Sequence, residues 1–202
     1  MFRYLNIFVN SNILKPDKMK KIILVILLAA FTKLNAQNAT GKMFPAITGE
    51  TFDGKNVVLP EACKGKPTII GICFSKAAET DLRTWLNPAY NQFVVKKDTT
   101  NAFGTAVAYD INYYFIPMLN LVNQVLEKSS QDKIRKQTDK EFWPHLMFYT
   151  GGLKEYKKTF EIDNTDLPYF FVLDKTGKIV HVEKGIYSEK KMNAMEDFLE
   201  ED

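Results

Sequence analysis

Residues 166–179 read Asp-Leu-Pro-Tyr-Phe-Phe-Val-Leu-Asp-Lys-Thr-Gly-Lys-Ile. Pro168 stands directly before the apolar run Tyr169 to Leu173, where a missing backbone N–H costs the ladder least. Asp174-Lys175-Thr176-Gly177 supplies a turn, and Lys178 to Glu183 a second strand. Beyond it, Ser188 is a suitable N-cap for a last helix whose Met192, Met195 and Leu199 face inward.

Working back from this hairpin, Gly151-Gly152 opens a turn into a helix bearing Leu153, Tyr156 and Phe160, after a short strand Leu146 to Tyr149. Gly65-Lys66-Pro67 leads into Thr68 to Phe74, apolar on both faces as a central buried strand should be. A helix follows from Ala77 to Thr80 onward, carrying Leu82, Trp85 and Leu86 until Asn87-Pro88 breaks or kinks it. Thr105 to Tyr109 reads as a strand. Pro117 opens a helix over Met118 to Lys128, where Met118, Leu121, Val122 and Val125 form one stripe. Gln131 to Glu141 is charged and reads as a solvated helix face or loop. Near the start, Phe44 to Ile47 and Asn56 to Leu59 flank Phe52-Asp53-Gly54-Lys55, a hairpin signal. The order is hairpin, strand, helix, strand, helix, strand, helix, hairpin, helix: an α/β fold with a mixed central sheet flanked by helices.

Composition agrees with an ordinary globular chain. Of 202 residues, 46% are hydrophobic and 25% charged, which excludes collagen-like, low-complexity and wholly disordered classes. Two cysteines are too few for a disulfide scaffold or a Cys-rich zinc module. The net charge of +3 is misleading. Residues 1–36 hold six Lys/Arg against one acid, so the remainder carries −2, and the compositional hint of nucleic-acid binding goes with them.

Those first residues read as an address. Lys20-Lys21 form a positive region, Ile22 to Phe31 an apolar core, and Leu34-Asn35-Ala36 a cleavage site before Gln37. The core is far shorter than the roughly 20 residues of a spanning helix, so no stable membrane span remains after cleavage. Met1 to Lys18 fits no signal architecture, and translation is expected to start at Met19. The expected layout is an upstream stretch plus signal over 1–36, a short flexible leader over 37–43, and one domain over 44–202. The expected destination is the periplasm or the exterior.

The N-terminal hairpin, the Gly-Lys-Pro lead into Thr68–Phe74 and the closing segment 166–179 together resemble the thioredoxin-like superfamily. The likeness covers most of Phe44 to Leu199. It implies a cis Leu167–Pro168 bond beside an active-site loop; the alternative is a trans proline ahead of an edge strand. It also implies that redox-active members carry Cys-x-x-Cys just after the central strand, where the helix N-terminus activates a thiol. This chain has Phe74-Ser75-Lys76-Ala77-Ala78-Glu79-Thr80-Asp81 there, so Ala77 or Ala78 takes the nucleophile's place and dithiol exchange is impossible at this loop. Glu79 and Asp81 complement the helix dipole.

Cys63 and Cys73 flank the central strand from opposite ends, too far apart for a disulfide. Cys73 alone reads as a small buried hydrophobe. The rival reading makes it the thiol of a thiol-disulfide oxidoreductase or one-cysteine peroxidase, a redoxin. His145 and His181 stand apart without cysteine neighbours, so no metal or other cofactor is expected.

The inserted segment Ile116 to Trp143, the run from Pro144 to Gly152 and Trp85 in the first helix are similar to the thioredoxin-like assembly factor of the mitochondrial ATP synthase. That resemblance implies a redox-inactive, chaperone-like protein whose partner is a protein or peptide client such as a membrane-complex subunit. The corresponding binding groove is expected around Phe74, Ala77, Ala78, Glu79, Thr80, Trp85, Leu167, Pro168 and Tyr169, with Trp143 nearby. Trp85 and Trp143 read equally as core.

Overall fold

The computed structural model describes residues 39–95, 110–118, 132, 135–149 and 151–199, all within the compact unit Gln37–Asp202. Asp53-Gly54 turns the chain between β1 (Ile47–Thr51) and β2 (Asn56–Leu59), with Gly54 at φ +91°, where a Cβ would be strained. The two strands pair antiparallel from Ile47↔Leu59 to Glu50↔Asn56, the hairpin that the Asp-Gly signal predicts. β3 (Thr68–Cys73) is buried at all six positions. Ser75 then caps α1 (Lys76–Arg83), its Oγ accepting from the Ala78 N–H at 3.1 Å. The helix breaks at Thr84–Trp85, before Asn87-Pro88. Pro88 lies in the first turn of α2 (Leu86–Tyr90), where an N–H would have no intrahelical partner anyway.

The middle of the chain departs from the sequence reading. β4 (Asn112–Pro117) runs parallel to β3, from Thr68↔Asn112 to Cys73↔Pro117. Pro117 is the last residue of this strand, and the Met118 N–H donates to the Cys73 carbonyl at 2.8 Å. The strand read at Thr105 to Tyr109 and the helix read after Met118 lie outside the described residues. Of the charged stretch 131–141, Arg135 is not solvated: its side chain is 17% exposed, pairs with Glu50 at 2.6 Å, and stacks 5.2 Å over the Phe148 ring.

β5 (Met147–Phe148), α3 (Lys154–Thr159), β6 (Tyr169–Leu173), β7 (Ile179–Lys184) and α4 (Glu189–Glu196) complete the described strands and α-helices. Ser188 caps α4 as expected, and Met192, Met195 and Leu199 are buried. The main sheet has the order β4-β3-β6-β7, parallel between β3 and β4 and antiparallel elsewhere; a second sheet has the order β2-β1-β5. A parallel bridge Phe115↔Leu146 joins them. This is the mixed α/β architecture that the strand and helix order predicts.

Two-residue periodicity splits the core into two layers. Ile70 and Ile72 of β3, with Tyr169, Phe171 and Leu173 of β6, pack with Phe44, Phe74, Leu153 and Phe160 on one face. Ile69 and Cys73, with Phe170 and Val172, pack with Ala78, Leu82, Trp85, Met192 and Met195 on the other. Gly71 stands between Phe115 and Phe170: a Cβ there would meet their ring carbons at 2.6 and 2.8 Å.

Two expectations are corrected. From Ala39 on, the leader is not loose: Ala39 is buried, Gly41 N–H donates to Ile179 O, and Phe44 N–H to Gly177 O, because the turn and start of the closing hairpin offer unpaired carbonyls there. The cis proline bond among the described residues is Leu59–Pro60, not Leu167–Pro168. Before Pro168 the chain already reverses through a turn in which the Asn164 carbonyl and side chain accept from the Leu167 and Asp166 N–H groups, so no cis bend is called for.

Candidate functional site

The register Ile72↔Tyr169 makes neighbours of the strand ends that carry Cys73 and Pro168, at the mouth of α1. That is where the sequence put its groove; of the chosen residues Glu79 lines an open cleft, and the others are placed as follows. Phe74 and Tyr169 are 5% and 4% exposed and belong to one core layer; Ala78 and Trp85, at 0% and 1%, belong to the other. Pro168 is buried and Leu167 half-buried, while Ala77 and Thr80 face solvent. Lysines shield the two aromatics, Lys157 Nζ 5.5 Å from the Phe74 ring and Lys184 Nζ 5.9 Å from the Tyr169 ring. The Tyr169 hydroxyl donates to Asp163, which in turn accepts from Lys184 at 2.8 Å. The strand's alternation sends successive side chains to opposite faces, which is why a groove read from neighbours in sequence is divided between layers.

Trp85 closes this flank. Its indole lies 4.1 Å from the Phe170 ring and edge-on to Tyr187, and its Nε1–H donates to the Gly185 carbonyl at 3.0 Å. The Gly185 N–H donates to the Pro168 carbonyl at 2.9 Å, so one glycine ties Trp85 to the head of β6. Thr84 adds a further tie, its Oγ1 accepting from the Tyr187 N–H.

Position withdraws both cysteines from the surface. Both are free and fully buried, Cys63 in the layer of Ile70 and Cys73 in the layer of Trp85. Burial, and then the nearby Glu79 carboxylate, push the Cys73 thiol up to about 12; burial also raises Cys63. At neutral pH Cys73 is a thiol, a poor nucleophile. His145 stacks on Tyr113 at 3.8 Å and His181 on Phe198 at 4.6 Å. Among the described residues no group of three or more His, Cys, Asp or Glu could hold a metal.

The open space lies on the other flank of α1, in a cleft of about 340 Å³. The helix contributes Lys76, Glu79, Leu82 and Arg83, followed by Leu86, a set spaced to share one helical face. Facing them are Phe52 and the segment Leu146 to Tyr149, with Pro117 at one end. Phe52 and Phe148 stack at 4.1 Å, held because the Phe52 N–H donates to the Leu146 carbonyl at 2.9 Å. Along the rim, Glu79 accepts from Lys76 at 2.6 Å and from Arg83 at 2.8 Å. Burial works against the Glu79 charge, but these two cations outweigh it and hold its carboxyl below the usual range. Glu79 is thus ionised and satisfied, with 12% of its side chain exposed, while Lys76 and Arg83 keep 80% and 53% exposed. A second hollow, of about 370 Å³, is lined by Glu50, Asp53, Arg135 and Trp143, which is half-buried.

Sequence reading caught Glu79 but missed Phe52, Lys76, Arg83, Leu86 and Leu146 to Tyr149 as walls. The helical spacing of Lys76, Glu79, Arg83 and Leu86 was the available signal; the opposite wall rests on the β1–β5 pairing Thr51↔Met147, which joins residues far apart in sequence.

The family model described as ATP10 protein matches residues 32–201. Among solved structures, a candidate protein disulfide isomerase of Bacteroides thetaiotaomicron is 18% identical over 80% of this chain and 91% of its own, with TM-score 0.50. A thio-disulfide isomerase from Thermus thermophilus is 14% identical over 81% and 98%, with TM-score 0.48. A thiol:disulfide interchange protein of the thioredoxin family from Chlorobium tepidum is 19% identical over 81% and 99%, with TM-score 0.45. The first of these likenesses, at TM-score 0.50, concerns the fold alone, and the fold is thioredoxin-like. No curated protein matches the chain at a significant level.

Proposed function

Because the chain belongs to the ATP10 family, related to the ATP synthase assembly factor, we propose that it serves complex assembly by holding a protein client, without thiol chemistry. The family relation supports an assembly role and protein clients. The observation that carries the non-redox reading is the loop after β3: Ala77 and Ala78 stand where redox members of the fold carry their thiols, and the nearest cysteine, Cys73, is 0% exposed. Dithiol exchange needs two approachable sulfurs, and this end of the sheet offers none. The client we envisage is an extended or apolar segment of a membrane subunit, engaged at the α1 end of the sheet. Among the described residues no helix is long and apolar enough to cross a membrane, so the protein's own described part would meet such a client from outside the bilayer.

The test is genetic and chemical together. In cells lacking their own copy, the chain with Cys63→Ser and Cys73→Ala should restore ATP synthase to the abundance given by the unaltered chain on native gels. Insulin reduction or peroxide consumption that disappears on Cys73→Ala would overturn the reading. Iodoacetamide should label Cys73 only after denaturation. We propose also that the protein works in the periplasm or exterior, on the strength of Lys20-Lys21, the apolar run 22–31 and the Ala36–Gln37 junction. N-terminal sequencing of protein recovered from the exported fraction should begin at Gln37; a chain beginning at Met1 would sink this.

A further inference from the structure

The cleft beside α1 combines three properties that together specify an occupant. Leu82, Leu86, Phe52, Met147 and Phe148 give it a large apolar share, beside the polar Gln137 and Thr138. Its size, about 340 Å³, is roughly twice the ~150 Å³ that accommodates one benzene ring in an apolar protein cavity. Its rim is a fixed row of charge, Lys76–Glu79–Arg83, in which one carboxylate is shared by two cations. The row therefore carries a net single positive charge, and both cations retain exposed N–H donors beyond the ones Glu79 accepts. The complementary ligand has two bulky apolar groups and an adjacent anion.

We propose that this cleft is the client-recognition site, taking two apolar side chains of a client segment while a carboxylate next to them on the client docks on Arg83 and Lys76. The proposal rests on the client-binding reading above and names the client's chemistry: an apolar pair followed by an acidic residue. The apolar groups bring affinity through burial against Leu86, Phe52 and Phe148. The carboxylate brings specificity, because a guanidinium already oriented by Glu79 offers its remaining N–H groups without further ordering. A basic residue at that position of the client would meet Lys76 and Arg83 head-on and be rejected. Charge-driven discrimination at an exposed rim weakens with salt, unlike the apolar part.

Fluorescence anisotropy with the full chain tests this, using acetyl-Gly-Leu-Phe-Glu-Gly-amide carrying a dye, and its Gln and Lys counterparts at the Glu position. The acidic peptide should bind about five-fold more tightly than the Gln peptide in low salt, with the Lys peptide weakest. Arg83→Gln should erase the Glu-over-Gln preference. Leu86→Trp, which fills the cleft, should remove binding of both while circular dichroism and the denaturation midpoint show a folded chain. Equal binding of the Glu and Gln peptides, undiminished binding by Leu86→Trp, or no binding of the acidic peptide each overturns the proposal. Where Leu86→Trp still restores ATP synthase in cells, the cleft assignment falls while the assembly role stands; where the unaltered chain itself fails to restore it, the assembly role falls.

Discussion

The two flanks of α1 are finished in opposite ways. Toward β7 and α4, Trp85 fills the space, stacked on Phe170 and hydrogen-bonded to Gly185, with Tyr187 against its edge. Toward β5, Lys76, Glu79, Arg83 and Leu86 look across a cleft at Phe52 and Phe148. The sequence places a groove on the β6 side, beside the proline; there Phe74, Trp85 and Tyr169 are buried, and a hollow lies on the far side. The contrast is one of packing: one flank is filled by an indole, the other keeps a cleft.

That contrast can be broken by measurement. The largest effect should come from Trp85→Ala, which opens a void in the closed flank and strands the Gly185 carbonyl; a loss of about 3–5 kcal/mol in urea unfolding is expected. A loss under about 1 kcal/mol would mean that Trp85 is not the clamp described. Gly71→Ala should come next, at about 1–3 kcal/mol, since Phe115 and Phe170 must both give way to the new methyl group.

A smaller effect concerns acid. His181 is half-buried against Phe198, its Nε2 without a hydrogen-bond partner in the described structure, and burial lowers its pKa despite the opposing fields of Glu183 and Asp197. The neutral ring is favoured on folding, so its contribution is complete above the unfolded value near 6.5 and is lost as pH falls through that value toward the lower folded one. His145 is lowered by burial too and acts in the same direction. Melting temperature should therefore decline from pH 7 to pH 5, and His181→Phe should flatten part of that decline; an unchanged slope would refute the assignment. The smallest change should be Arg83→Gln on the open flank, an exposed ion pair worth about 0.5 kcal/mol or less. A large destabilisation there would show that the open flank, too, is structural.

The fold was legible because its deciding segments are local and extreme in pattern: a strand apolar on both faces at Thr68 to Cys73, an Asp-Gly turn at 53–54, a serine cap at 188. β4 was not, because Asn112 to Pro117 mixes Tyr, Phe and Ile with a terminal proline, and its strand character comes from pairing with β3 rather than from its own alternation. The site was half legible. The missing thiols and Glu79 could be read directly. Which aromatics are core and which line a hollow depends on layer assignment and on the pairing Thr51↔Met147, contacts that no local window contains.

The placement of the two thiols on opposite faces of one sheet has a wider meaning. Cys63 and Cys73 cannot reach each other without unfolding the sheet between them, and neither ionises readily at neutral pH. Thiols so placed and so buried are withheld from whatever oxidant or reductant reaches the surface.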